Sequence, residues 1–186
     1  RHRRRLLVEY GGFAVAAQRG RRELADLEAK SPADGIVTGL GRVNGDVFPE
    51  DRSTCAVLAY DYTVMAGTQG YHNHRKTDRL LEIAHRRRHP VILFAEGGGG
   101  RPNDTDVPVV AGLHLTTFVS MGRLSGTVPT IGIAAGRCFA GNAALLGTCD
   151  VVIATRDSTI GMGGPAMIEG GGLGSFTPEE VGPVAV

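Results

Sequence analysis

Twice in this chain a fully apolar run ends in a cluster of glycines. Val91-Ile92-Leu93-Phe94 runs into Glu96-Gly97-Gly98-Gly99-Gly100-Arg101. Thr130-Ile131-Gly132-Ile133-Ala134-Ala135 runs into Gly136-Arg137-Cys138-Phe139-Ala140-Gly141. Runs of this length with apolar residues on both sides read as strands buried on both faces, and a repeat of about forty residues sets the rhythm of an α/β domain with a parallel sheet. Glycine supports this: 28 of 186 residues, with no G-X-Y period. Such a share means tight turns or backbone that something else must approach closely. A strand that ends in small residues and then enters a helix leaves the first helical N–H groups unpaired. Those amides suit an anion, or an oxygen that becomes anionic during reaction. One such turn alone is better read as a plain tight turn; two in successive units shift the reading towards a site.

The rest of the chain is read around that rhythm. Residues 1 to about 30 carry Leu6, Leu7, Leu24 and Leu27 among charges and read as helix broken at Gly11-Gly12 and Gly20; residues 31–35 read as a loop. A strand at 36–39, the Asn44-Gly45 hairpin signal and a strand at 56–64 follow. An amphipathic helix is expected from Thr77 to His89, ended by Pro90, then a helix from Val109 to Leu124, a short one from Asn142 to Leu146, and a strand at 150–154. The domain division is a segment 1–34 and a domain 35–186. The chain starts at Arg1 and stops soon after Glu180 without a closing element, which reads as a piece of a longer polypeptide.

Composition excludes several classes. The formal net charge of +1 argues against a dedicated nucleic-acid binder, despite arginine clusters at 3–5 and 86–88. No apolar run is long enough to span a bilayer, and no secretory signal is visible. Cys55, Cys138 and Cys149 form no C-x-x-C pair, which fits a reducing, cytoplasmic setting without a zinc ribbon. No phosphate-binding G-x-x-x-x-G-K-[ST] or G-x-S-x-G nucleophile elbow is present. The segment 161–166 fits G-x-G-x-x-A on paper but carries a proline in the turn, and reads as loop. His72 and His74, on an expected loop, lack a matching acid, so no metal is assigned. His85 and His89 read as part of a solvated basic face.

Taken in order, the motifs resemble a known family. G-I-V-T-G-x-G-R-V-N-G at 35–45 is followed by Tyr60-Asp61-Tyr62-Thr63-Val64-Met65-Ala66-Gly67-Thr68, a helix with Lys76, the 96–101 turn, Val128-Pro129-Thr130-Ile131, and the 138–141 turn. This looks like the N-terminal half of the biotin-dependent acyl-CoA carboxyltransferases, of acetyl- and propionyl-CoA carboxylase β-subunit type. That family carries V-T-G-x-G-x-V-x-G, D-F-T-V-x-G-G-S, D-S-G-G-A-R, V-I-P-Q-I-S and G-P-C-A-G-G-A in the same order. Gly164-Pro165 also falls where the family has G-P before a helix.

The resemblance implies a crotonase-like spiral of ββα units and transfer of a carboxyl group from carboxybiotin to an acyl-CoA. It implies backbone oxyanion donors at Gly98 and Gly99 and at Ala140 and Gly141. Arg101, Lys76 and Arg75 become candidates for the CoA phosphates, and Phe139, bulky where the family has alanine, bears on substrate size. Glu96 and Gly97 replace the family's aspartate and serine, and Arg137 its proline. The implied partners are a C-terminal carboxyltransferase domain, biotin carboxylase and a biotin carrier, in a homo-oligomer. A crotonase-type hydratase, isomerase or hydrolase, with Glu96 or Asn142 near the acid position, is the second reading; a decarboxylase of the same family carries the same motifs. A non-catalytic CoA-binding assembly module is the third.

Overall fold

The apolar runs do become strands buried between layers. The computed structural model describes residues 7–107 and 115–185. The arginines at 3–5, Leu6, and the first part of the helix expected from Val109 lie outside them. Eight strands occur among the described residues: β1 (Leu7–Tyr10), β2 (Ile36–Arg42), β3 (Thr54–Tyr60), β4 (Val91–Phe94), β5 (Thr130–Ala134), β6 (Arg137–Phe139), β7 (Val151–Ala154) and β8 (Thr159–Gly161). Six helices connect them: α1 (Leu24–Lys30), α2 (Glu50–Ser53), α3 (Tyr71–Arg87), α4 (Thr117–Gly122), α5 (Gly141–Gly147) and α6 (Pro165–Gly170).

One sheet has the order β1-β2-β3-β4-β5-β7. Its first three strands are antiparallel and the rest parallel. Strands β6 and β8 pair in parallel as a small second sheet, joined to the first glycine turn by a bridge between Gly97 and Cys138. Each unit therefore supplies one strand to the large sheet, in places one to the small sheet, and then a helix. The core lies between the sheets and helices α3, α4 and α5, where Leu58, Leu80, Leu93, Met121, Leu145 and Leu146 are all at most 1% exposed.

Several expectations need correction. Leu7–Tyr10, expected within a helix, is a strand that pairs with β2, so this part of the N-terminal segment is the edge of the same sheet. The hairpin at Asn44-Gly45 is not a two-residue turn. β2 pairs with β3 from Ile36↔Tyr60 to Arg42↔Thr54, and residues 43–53 loop out with Asn44 in the left-handed region. Helix α3 begins at Tyr71 rather than Thr77, because the Tyr71 N–H donates to the Asp104 carboxylate at 2.8 Å, a cap from a distant segment. His72 and His74 are thus helical. Arg88 in the left-handed region and Pro90 end that helix as expected. The second glycine turn contains a strand, β6, and the 161–166 segment enters α6 at Pro165.

Candidate functional site

The two glycine turns, forty residues apart in sequence, touch. A side chain on Gly99 (φ +89°) would lie 2.6 Å from Ala140 Cβ and 3.5 Å from Gly141 N. Ala140 itself sits at φ 51°, ψ −120°, a conformation that favours glycine. The loop after β3 joins them: a side chain on Gly67 would lie 2.5 Å from Glu96 O and 2.9 Å from Gly97 Cα. Backbone from three successive units therefore meets at one point, with the Asn142 carboxamide between the segments.

Three of the four expected donors already have acceptors there. The Gly98 N–H donates to Ala66 O at 2.9 Å, Gly99 N–H to Asn142 Oδ1 at 3.0 Å, and Ala140 N–H to Gly161 O at 2.9 Å. Among the described residues Gly141 N–H, at the first position of α5, has no acceptor; neither has Gly100 N–H, in an exposed residue bordered by open space. Sequence reasoning placed the turns but not which amides remain unengaged. That depends on Asn142, 0% exposed, whose role as an internal acceptor had no local signal.

The expected CoA-binding cations are mostly engaged in the fold. Arg101 has a side chain only 4% exposed and ion-pairs with Asp34, which is fully buried. It also donates from Nη2 to Thr68 O at 2.8 Å and from Nε to Thr68 Oγ1 at 3.2 Å, with Asp104 3.6 Å away. Lys76 Nζ donates to Ala33 O at 2.7 Å and Ile36 O at 2.5 Å. Both cations thus grip the same connector, where Ala33, Asp34 and Gly35 are all left-handed. That backbone is costly, about 1–2 kcal/mol for each L residue, and the grip holds it. Burial pushes the Asp34 carboxyl up, with the Arg101 guanidinium opposing. Burial likewise lowers Lys76.

Arg75 is exposed on the rim of a 620 Å³ cavity between α3 and the segment after β1, away from the glycine turns. Phe139 is 6% exposed and its ring packs over Gly161 and Gly164, so its bulk fills the space beside β8. The carboxylate of Glu96 accepts the Ala135 N–H. Cys138 is pushed by burial up to about 12 and Cys149 up to about 11, so both thiols are protonated near neutrality. Next to the first turn, a cleft of about 750 Å³ is lined by Met65, Thr68, Pro102, Asn103, Arg21 and Arg22. Arg22 pairs with Asp26 at 3.0 Å, whereas Arg21 has no carboxylate partner among the described residues.

The sheet order, the small second sheet and the loops that carry backbone amides to one point define a crotonase-like α/β domain. Residues 1–182 match the carboxyl transferase domain, and the chain belongs to that family. It is 34% identical, over 67% of its length, to a biotin-dependent long-chain acyl-coenzyme A carboxylase β4 subunit of Mycobacterium tuberculosis, of which it covers 22%. It is 31% identical, over 83% of its length, to the methylmalonyl-CoA carboxyltransferase 12S subunit of Propionibacterium freudenreichii, covering 28% of it. Among solved structures, a single-chain, multi-domain long-chain acyl-CoA carboxylase superposes with a TM-score of 0.91 at 58% identity over 98% of this chain and 18% of that one. A transcarboxylase 12S hexamer with methylmalonyl-CoA bound gives 0.74 at 27% identity, over 97% of this chain and 32% of that one. The chain thus spans less than a third of each.

Proposed function

We propose that the chain is the acyl-CoA-binding half of a biotin-dependent carboxyltransferase. The observation that carries this is the meeting of the two glycine turns, where Gly100 and Gly141 N–H have no acceptor among the described residues, together with a cleft beside the first turn whose Arg21 has no carboxylate partner among them. The thioester oxygen gains negative charge as the α-proton leaves, and each fixed N–H aimed at that charge is worth about 2.7–4 kcal/mol. Arg21 takes a CoA phosphate at the cleft, in place of the engaged Arg101 and Lys76. Carboxybiotin, when bound, supplies the carboxyl group; no residue of this chain is assigned to holding it. The 58% identity to a long-chain acyl-CoA carboxylase supports a long-chain acyl-CoA as substrate. A C-terminal carboxyltransferase domain, biotin carboxylase and a biotin carrier are the partners this requires, in a homo-oligomer. A reducing, cytoplasmic setting is supported by Cys55, Cys138 and Cys149, which are all free thiols. The hydratase reading loses ground because Glu96, its candidate base, is held by the Ala135 amide.

Calorimetric titration with acetyl-CoA, propionyl-CoA and a long-chain acyl-CoA, with NAD as control, tests this. Saturable binding of thioesters, tightest for the long chain, and none of NAD is expected, with Arg21→Ala weakening all thioesters several-fold through one lost phosphate contact. Adding the C-terminal domain and carboxybiotin should then give carboxyl transfer. Thioester binding without transfer under those conditions would favour an assembly module. Equal binding of NAD would sink the reading.

A further inference from the structure

We propose that Asn142 is the positioning residue of this site: its buried carboxamide clamps the loops after β3, β4 and β6 and so fixes where the Gly100 and Gly141 amides stand. The inference rests on the reading of those amides as donors to a thioester oxyanion.

Asn142 is 0% exposed. Its Oδ1 accepts the Gly99 N–H at 3.0 Å, and its Nδ2 donates to Gly67 O at 3.3 Å. The partners settle which end is which, since an N–H needs an acceptor and a carbonyl needs a donor. One planar group therefore joins three segments that are 75 and 43 residues apart in the chain. The fit is close: a side chain on Gly97 would overlap both Asn142 Nδ2 and Gly67 O. Two of the three joined residues adjoin an amide without an acceptor among the described residues. Gly99 precedes Gly100, and Asn142 itself follows Gly141.

The chemistry admits few substitutes. Aspartate has the shape and keeps the acceptor for Gly99, but it sets an oxygen against the Gly67 carbonyl. Alanine strands a buried N–H and a buried C=O together. The carboxamide does not itself touch the substrate: a thioester oxygen reaches Gly99 N–H only by displacing a group with no exposed surface. Its effect on catalysis runs through geometry, where an error of about 1 Å costs on the order of 100-fold.

The test compares two ligands of the purified chain: a CoA thioether ending in a nitronate, which copies the enolate, and the matching plain CoA thioether. Wild type should prefer the nitronate. Asn142→Asp and Asn142→Ala should weaken the nitronate by about 10-fold or more, as expected for donors moved off target, while the plain thioether changes less than about 3-fold. Thermal unfolding is followed in parallel. Equal loss of both ligands, or no loss of either, overturns the positioning role. So does failure of both variants to fold, which would make Asn142 a folding residue only. If wild type itself shows no preference for the nitronate, the oxyanion reading fails, and that result is separate from the behaviour of the variants.

Discussion

Arg101 shows how a residue type in the right motif takes a different role once its partners are known. In the sequence it follows a glycine run and reads as a phosphate-binding cation. In the structure its guanidinium neutralises Asp34 inside the protein, and its backbone N–H donates to Gln69 O at 3.0 Å. Removing one member of such a pair leaves a buried charge, at a cost of about 3–5 kcal/mol. Arg101→Met should therefore lower the unfolding free energy by about that much, read from urea denaturation. The pH dependence identifies the cause. Without the guanidinium, burial and the neighbouring Asp104 carboxylate raise the Asp34 carboxyl further, opposed only by the Asn73 N–H. A folded pKa above the unfolded value of about 3.9 gives stability that is present below that value and lost as pH rises through the folded one. Lowering the pH should thus shrink the deficit of Arg101→Met relative to wild type. A variant that keeps its stability but binds acyl-CoA poorly would instead return Arg101 to the substrate.

At the scale of elements, the strands with apolar residues on both faces were legible and the ends of helices were not. β4, β5 and β7 stand where their apolar runs place them; β5 is buried or half-buried throughout and β4 up to Phe94, whereas β7 is exposed up to Ala154. α3 starts six residues early because its cap is Asp104, beyond the reach of any local pattern. β1 was hidden by the charges around it: an edge strand with exposed Val8 and Tyr10 shows no helical or buried period. The glycine turns were legible as backbone that something approaches closely, and they meet each other, but which of their amides are engaged depends on long-range acceptors at Ala66, Gly161 and Asn142. His74, expected on a loop, instead joins α3 to α4: its Nδ1 lies 2.8 Å from Thr117 Oγ1, which in turn donates to Asp78. Burial holds this imidazole below the usual histidine range, Arg101 adding to the effect and Asp78 and Asp104 opposing it. The unfolded chain then binds the proton more readily than the folded one. Stability is full above about pH 6.5 and falls as the pH drops from there towards the lowered folded value, by at most about 1.4 kcal/mol per pH unit. His89 has the same sign, so the comparison is with His74→Gln, which should show a shallower fall between pH 7 and 5. An unchanged slope would place the titration elsewhere.

The whole molecule has one edge that a stable isolated domain would not leave open. β7 ends the large sheet among the described residues, and its Val151, Val152 and Ile153 are 51%, 47% and 55% exposed. Neighbouring residues on a strand point to opposite faces, so β7 is apolar and uncovered on both sides as well as unpaired along its outer edge. Such a strand is a template for another chain, and proteins ordinarily cover it or interrupt it with charge. The glycine turns and the cleft beside them are built by other loops, so the edge and the proposed site are separable. The isolated chain should accordingly associate in a concentration-dependent way, visible by sedimentation velocity. Val152→Lys should restore the monomer while leaving the unfolding midpoint and acyl-CoA binding within error. If Val8→Lys on β1 suppresses the association and Val152→Lys does not, the opposite edge of the sheet is the contact. If neither does, association runs through a helical face and the uncovered strand is tolerated as it stands.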